Sequence, residues 1–348
     1  MWYDFSSIGM IPLPERETFS PDRRYRYAIN GKIVHILDGR SNSVTPAVIK
    51  ILAGHTDLVT DVDWSPDGAH IVTVGMDKRI IIWNVSDWTA SQVILSRIIN
   101  ISAVSWRPGT TEIVTGTNDG TIALWHIPTA EILRLFDAGF PVKGLYWLDR
   151  DILVARGREI GENRIWAYLV GIEKVRLELA EKAGIQKTAI NRIENLLRMV
   201  VLKGLGKNIF VLRSGLDIPL ADAMHVVKML EVVENYKFPC GDESIVQSAD
   251  LLSFLVLKRL GRTTFNLLDI INECDLQYLP AVLVLKYLEE LKSRKITLKS
   301  VEEKYIEKAR KIIESSTDKI SSPDDFLKLS LKLNVTPRTA KMILHNIF

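Results

Sequence analysis

Two series of tryptophans recur along the first half of the sequence at one spacing. Within each series, neighbouring members are 42 and then 41 residues apart: Trp64, Trp106 and Trp147 form one series, and Trp83, Trp125 and Trp166 form the other. Between them, short β-branched runs alternate with turns rich in Gly, Pro, Asn and Asp, a pattern typical of strands. A period of about 40 to 45 residues built from strands predicts the four-stranded blades of a β-propeller.

The composition changes near residue 170. All eight tryptophans lie before that point, and after Gly171 the sequence becomes rich in Leu, Ile, Lys and Glu at helical spacing. A chain of 348 residues is also longer than one core usually supports. The sequence therefore predicts a propeller-like domain over residues 1–170 and a helical domain over residues 171–348.

The best-marked blade begins at Gly54-His55, passes through Trp64-Ser65-Pro66-Asp67-Gly68 and ends at Trp83-Asn84. This pattern resembles the WD-repeat family, over about residues 19–168 and best over 51–128. In that family a loop His, a strand Ser or Thr, a turn Asp and a strand Trp form a buried hydrogen-bonded set, and a buried indole or imidazole does require such partners. The resemblance assigns these structural roles to His55, Thr73, Asp77 and Trp83, and in the next blade to Thr115, Asp119 and Trp125, where the Gly-His pair is absent.

About four blades are recognisable, the low end of what closes into a ring. Either they form a small closed ring, or they form an open half-ring whose edge strands are covered, because an uncovered edge promotes aggregation. We favour the half-ring, covered by the helical half, by a second copy or by a protein partner.

The helical half contains segments similar to helix-turn-helix units. Residues 177–195 resemble the lambda-repressor type, with Gly184 at the turn, and residues 326–348 show a weaker likeness, with Thr336 as N-cap and Pro337 in the first helical position. Units are predicted at 177–200, 212–231, 267–291 and 326–348, although ordinary helix pairs of a bundle or solenoid fit equally well. The resemblance implies nucleic-acid contacts for the outward-facing side chains Gln186, Lys187, Thr188, Asn191, Arg192, Arg338 and Lys341.

Charge allows a nucleic-acid partner without requiring one. Residues 171–348 hold 28 Lys plus Arg against 23 Asp plus Glu, so the small net charge of +3 comes from the helical half. The two cysteines, Cys240 and Cys274, and the six histidines show no metal-ligand spacing, and we expect neither metal nor cofactor. No apolar window suits a membrane helix, so we expect a cytoplasmic protein, associated with nucleoid or nucleus if it binds DNA.

The fold class predicted is thus multidomain β plus α: a partial or small WD-repeat propeller followed by an all-α domain of tandem helix-turn-helix-like units. No catalytic motif is present, and we interpret the chain as a non-enzymatic adaptor whose blades bind a protein partner and whose helices contact DNA or RNA. One alternative is a pure assembly scaffold, similar in layout to vesicle-coat subunits. Another is a regulatory subunit of a nucleic-acid-processing or ribosome-associated complex.

Overall fold

The computed structural model describes residues 3–4, 18–41, 46–159, 162–239, 241–293, 303–315, 320 and 322–348. The chain divides into two compact units, Met1–Tyr168 and Leu169–Phe348. Within the described residues, no helix combines the length and the apolar character needed to cross a bilayer.

The first unit is built from four sheets that follow one another along the chain. The strands are β1 (Tyr3–Asp4), β2 (Tyr25–Asn30), β3 (Ile33–Asp38), β4 (Val48–Ala53), β5 (Val59–Trp64), β6 (His70–Gly75), β7 (Arg79–Asn84), β8 (Ala90–Leu95), β9 (Ile101–Trp106), β10 (Glu112–Thr117), β11 (Thr121–His126), β12 (Glu131–Asp137), β13 (Val142–Asp149), β14 (Ile152–Glu159) and β15 (Glu162–Leu169). Blade 1 contains β2 to β4, blade 2 contains β5 to β8, blade 3 contains β9 to β12, and blade 4 contains β13 to β15. Consecutive strands of a blade pair antiparallel, as in β5–β6–β7–β8.

The blades are joined by apolar cores on their facing surfaces. One core lies between blades 1 and 2 and includes Ile36, Ile71 and Trp83. The next lies between blades 2 and 3 and includes Val72 and Trp125. The two residue sets alternate along β6, because successive side chains of a strand point to opposite faces of the sheet.

The fourth blade receives its outermost strand from the start of the chain. Strand β1 pairs antiparallel with β15, with Tyr3 opposite Ala167 and Asp4 opposite Trp166. The blade therefore has the order β1-β15-β14-β13. This pairing links the two ends of the unit and covers the edge of β15 with the chain's own backbone.

From Val170 onwards, the described residues of the second unit form helices and the turns that connect them. The described helices are α1 (Val170–Lys182), α2 (Ile190–Leu202), α3 (Ile209–Leu216), α4 (Leu220–Glu234), α5 (Glu243–Leu260), α6 (Leu267–Glu273), α7 (Tyr278–Ser293), α8 (Glu303–Ser315), α9 (Phe326–Leu333) and α10 (Pro337–Ile347), with short 3-10 turns at Lys187–Ala189 and Pro323–Asp325. Helix α5 is buried around most of its circumference and contacts α1, α6, α7, α9 and α10, as expected of an apolar central helix.

The predicted fold class, a partial propeller followed by an all-helical region, is confirmed at this level. Local signals also hold: Thr336 caps α10 by accepting a hydrogen bond from the Thr339 N–H, and Pro337 occupies the first helical position. Gly184 has a φ of +70° at the turn after α1. The helix-turn-helix character of the helix pairs stays a prediction.

Candidate functional site

A buried chain of hydrogen bonds runs through blade 2. The His55 ring contacts the Asp77 carboxylate through Nδ1 at 2.9 Å and the Thr73 hydroxyl through Nε2 at 2.8 Å. The Trp83 indole N–H donates to the same hydroxyl oxygen at 3.0 Å. All four side chains are buried, so the set assigned by the family resemblance lies in one contiguous network.

The direction of each hydrogen bond in this network follows from the chemistry of its members. Because an indole N–H can only donate, the Thr73 oxygen accepts from Trp83 and its own hydrogen is left to donate to Nε2 of His55. Because a carboxylate can only accept, Nδ1 of His55 donates to Asp77, and in the tautomer with its single proton on Nδ1 the Nε2 atom accepts from Thr73. Thr73 is the residue on which two buried polar partners depend.

Asp77 closes the network at the surface end. Burial alone raises the pKa of this carboxyl, but hydrogen bonds from His55 and from the backbone N–H groups of Thr56 and Arg79 outweigh burial and hold the pKa below its ordinary value. A carboxylate with a lowered pKa stabilises the fold above the pKa of the unfolded chain, and the contribution is lost as the pH falls through the folded-state pKa.

Blade 3 keeps half of this network. The Trp125 indole N–H donates to the Thr115 hydroxyl at 2.9 Å, whereas Asp119 accepts from the hydroxyl of Thr117 and from the Thr121 N–H. The corresponding residue to Thr117 in blade 2 is Gly75, where an added Cβ would lie 2.8 Å from Nδ1 of His55. In blade 3 the Thr117 hydroxyl therefore donates to the turn carboxylate of Asp119. In blade 2 the missing side chain of Gly75 leaves room for His55 beside Asp77.

The other tryptophan series has a different role, which is stacking between blades. Tyr25 of blade 1 stacks on Trp64 of blade 2, with ring centroids 6.5 Å apart, and His70 of blade 2 stacks on Trp106 of blade 3 at 6.0 Å. Arg107 of blade 3 lies 5.0 Å from the ring centroid of Trp147 in blade 4, within cation–π range. Each of these tryptophans therefore receives a flat group from the preceding blade.

Two carboxylates of β5 also join neighbouring blades, a role that their sequence context did not reveal. Asp61 accepts from the Val104 N–H at 2.8 Å, and Asp63 accepts from the Trp106 N–H at 2.7 Å. Their i, i+2 spacing puts both on one face of the strand. That spacing predicts a shared neighbour, but not that the neighbour is the backbone of β9. In the described residues, no group of three or more His, Cys, Asp or Glu is placed to hold a metal ion.

The residues suggested for nucleic-acid contact at the start of α2 fall into two groups. Gln186, Lys187 and Thr188 are exposed at the turn before α2. Asn191 and Arg192 are exposed too, but their polar groups are engaged within the unit: Asn191 accepts from Arg176, and Arg192 pairs with Asp222 at 2.7 Å.

The assignment of Lys341 to nucleic-acid contact is wrong. Its side chain is buried, its ammonium donates to the backbone carbonyls of Leu291 and Lys292 at the end of α7, and it lies over the Phe326 ring. Arg338 is partly exposed but pairs with Glu243 at 2.7 Å. Both side chains thus connect α10 to other helices of the unit, Lys341 to the end of α7 and Arg338 to α5.

A buried ionic cluster connects α1 and α2. The Arg176 guanidinium donates to Glu194 at 2.7 Å and to Glu173 at 3.3 Å, and all three side chains are buried. Burial outweighs the attraction of Arg176 and raises the pKa of Glu194 to about 7. The second oxygen of Glu194, Oε1, has no hydrogen-bond partner within the described part of the chain.

Comparison with known proteins identifies the repeats. The family model "WD domain, G-beta repeat" matches residues 47–84 and 96–126, which include most of blades 2 and 3. These segments are WD40 repeats, as the sequence resemblance predicts.

The curated relatives match this chain over short stretches only. Protein HIR1 of Eremothecium gossypii is 34% identical over 80 residues, which is 20% of this chain and 10% of that protein. Protein HIR1 of Candida albicans is 51% identical over 37 residues, 11% of this chain and 4% of that protein. The matched part is therefore a tenth or less of the length of each relative.

Solved structures with some similarity include one titled "Structure of U3-55K", with a TM-score of 0.38 and 18% identity over 42% of this chain and 46% of that chain. Another is the "Crystal structure of RRP9 WD40 repeats", with a TM-score of 0.36 and 20% identity over the same shares.

Proposed function

We propose that this chain is a non-enzymatic scaffold subunit whose propeller unit binds a protein partner through the outermost strands of its blades. The observation that carries the proposal is the exposure of apolar side chains on β4, β8 and β12, each of which is the end strand of its sheet. These side chains, which we term the outer-strand surface, are Val48, Ile49, Ile51, Val93, Leu95, Ile132, Leu133 and Leu135.

Exposed apolar side chains recur on the end strand of three successive blades, so the outer-strand surface is not a set of scattered single residues. Single exposed apolar residues are common on proteins, whereas grouped ones favour an interaction site. An end strand also offers unpaired backbone N–H and C=O groups, which natural proteins usually protect with charged residues. Strand β8, with the sequence ASQVIL, contains no charge, and Leu95 at its end is 74% exposed. A partner that adds a strand or an apolar face there satisfies both features.

An affinity purification with nuclease treatment tests this proposal. Replacing Leu95 and Leu135 together by lysine should leave the fold intact, because both side chains are exposed. We expect the partner recovered with the wild-type chain to bind this variant at least about tenfold more weakly. Leu268→Lys, an exposed leucine of α6, is the matched control and should retain the partner. Equal recovery with the double variant, or loss of the partner on nuclease treatment alone, would contradict the proposal.

A second candidate function is contact with nucleic acid at the start of α2. It is supported by Gln186, Lys187 and Thr188, which are exposed beside the Gly184 turn and have no side-chain hydrogen bond within the described residues. Amide, hydroxyl and ammonium groups in this position suit base edges and phosphates. The ion pair of Arg192 with Asp222 limits this candidate to fewer contacts than the sequence suggests.

Fluorescence anisotropy with labelled duplex DNA and RNA tests the second candidate. If Lys187 contacts a phosphate, Lys187→Ala should weaken binding and reduce the log-log salt slope by about 1. Lys332→Ala replaces a lysine of the separate helix α9 and should change neither the affinity nor the salt slope. Absence of binding by the wild-type chain at low salt would remove the candidate.

A further inference from the structure

Helix α3 is a short apolar helix with two exposed apolar side chains, Phe210 and Val211. Its sequence is IFVLRSGL, and of these residues only Leu212 is buried. Phe210 is 72% exposed and Val211 is exposed beside it. An eight-residue helix is marginal in isolation, and most helices in proteins are stabilised by packing an apolar face. The exposed face of α3 therefore lacks the packing that normally accompanies such a sequence.

The conformation of α3 is nevertheless well defined by its ends. The Asn208 side chain accepts from the N–H groups of Phe210 and Val211, and the helix ends at Asp217 in the left-handed conformation. The preceding turn is tied to the other end of the helix, because the Lys203 ammonium donates to the Gly215 carbonyl at 2.9 Å. The exposed side chains thus project from a preformed element, which lowers the ordering cost of binding.

Two exposed apolar side chains also lie near the end of α2. Met199 and Leu202 lie three residues apart at the end of α2 and are both exposed, so they share a helix face. Helices α2 and α3 contact each other. We term Met199, Leu202, Phe210 and Val211, with the cations Lys203 and Arg213, the α3 surface.

Every charged residue between Glu194 and Asp217 in the sequence is a cation. Residues 195–216 contain Arg198, Lys203, Lys207 and Arg213 and no Asp or Glu. Arg198 pairs with Asp275 and Lys207 with Glu234, whereas Lys203 and Arg213 have no carboxylate partner within the described residues. Arg213 is three residues after Phe210, so this cation and the exposed Phe210 ring lie on one face of α3.

We propose that the α3 surface docks an acidic amphipathic helix of a partner protein. The apolar face of such a helix would cover Phe210 and its neighbours, and its carboxylates would face Lys203 and Arg213. The apolar character favours a protein segment over nucleic acid, whose phosphates gain nothing from Phe210 or Leu202. This site lies in the helical unit and does not depend on the outer-strand surface, so either proposal can fail while the other stands.

Anisotropy with labelled synthetic peptides and the full chain tests the proposal. One set of peptides has leucines at helical spacing, in several registers, with glutamate at the other positions, and the matched set has lysine instead of glutamate. We expect the wild-type chain to bind the glutamate peptides and not the lysine peptides. Phe210→Glu and Arg213→Glu should each weaken binding at least about tenfold, and added salt should weaken wild-type binding.

Controls separate this result from loss of fold and from other occupants. Phe348→Glu changes another exposed phenylalanine of the same unit and should bind as the wild type does, as should the Leu95 and Leu135 double lysine variant. Unchanged thermal unfolding of Phe210→Glu would show that its fold is intact. The proposal is overturned if the wild type does not bind the glutamate peptides, if it binds the lysine peptides as tightly, or if Phe210→Glu retains full affinity. It is also overturned if the α3 surface instead joins two copies of the chain in sedimentation, or if duplex DNA displaces the peptides in an Arg213-dependent manner.

Discussion

Replacing Thr73 by valine is expected to lower the free energy of unfolding by about 2 to 4 kcal/mol. Valine preserves the shape of the side chain but removes the hydroxyl that accepts from Trp83 and donates to His55. Both partners are buried, so each would be left without the hydrogen bond that compensates for its loss of water. The loss should appear in denaturant unfolding followed by circular dichroism.

Thr115→Val is the matched control for this prediction. Thr115 occupies the same position in blade 3 and accepts from Trp125, without a histidine on its other side. We expect it to cost about 1 to 3 kcal/mol, less than Thr73→Val in the same experiment. Equal losses would mean that the His55 and Asp77 end of the network contributes nothing, and no loss at Thr73 would contradict the network itself.

Replacing Arg176 by methionine should destabilise the helical unit by about 3 to 5 kcal/mol, because it leaves Glu173 and Glu194 buried without their cation. Lys182→Met is the control: its ion pair with Glu178 is exposed on both sides, and exposed pairs contribute at most about 1 kcal/mol. Calorimetry of the full chain can compare the two variants. Similar losses in both would contradict the buried cluster.

The same cluster predicts a pH dependence. Because the pKa of Glu194 is raised to about 7, the folded chain holds this proton more tightly than the unfolded chain does. The contribution is therefore fully present below the ordinary pKa of a glutamate and is lost as the pH rises towards about 7. The destabilisation by Arg176→Met should accordingly be larger above that pH than below it, and Glu194→Gln should flatten the dependence in the wild-type chain.

Features encoded locally in the sequence could be predicted. The tryptophan spacing predicts the blades, because each repeat forms one sheet with its own turns. The end of α9 and the start of α10 follow from Asn334, Thr336 and Pro337, whose preferences act within one helical turn. Each of these signals depends on neighbours only a few residues away.

Features that depend on distant partners could not be predicted. Lys341 reads as an outward cation in a helix, yet its ammonium is bound by carbonyls at Leu291 and Lys292, about fifty residues earlier. Arg192 is likewise engaged by Asp222 from the next helix pair. Residue type and spacing give the polarity of a helix face, but they do not give the element that packs against it.

Hydrogen–deuterium exchange of the full chain, alone and with its purified partner, tests the scaffold proposal most directly. Strands β4, β8 and β12 end their sheets, so their outward-facing amides have no partner strand and should exchange quickly in the free chain. The account predicts that partner binding slows exchange in these strands while the helices α5 and α7 remain unchanged. Slowed exchange confined to the helical unit, with β4, β8 and β12 unaffected, would contradict it.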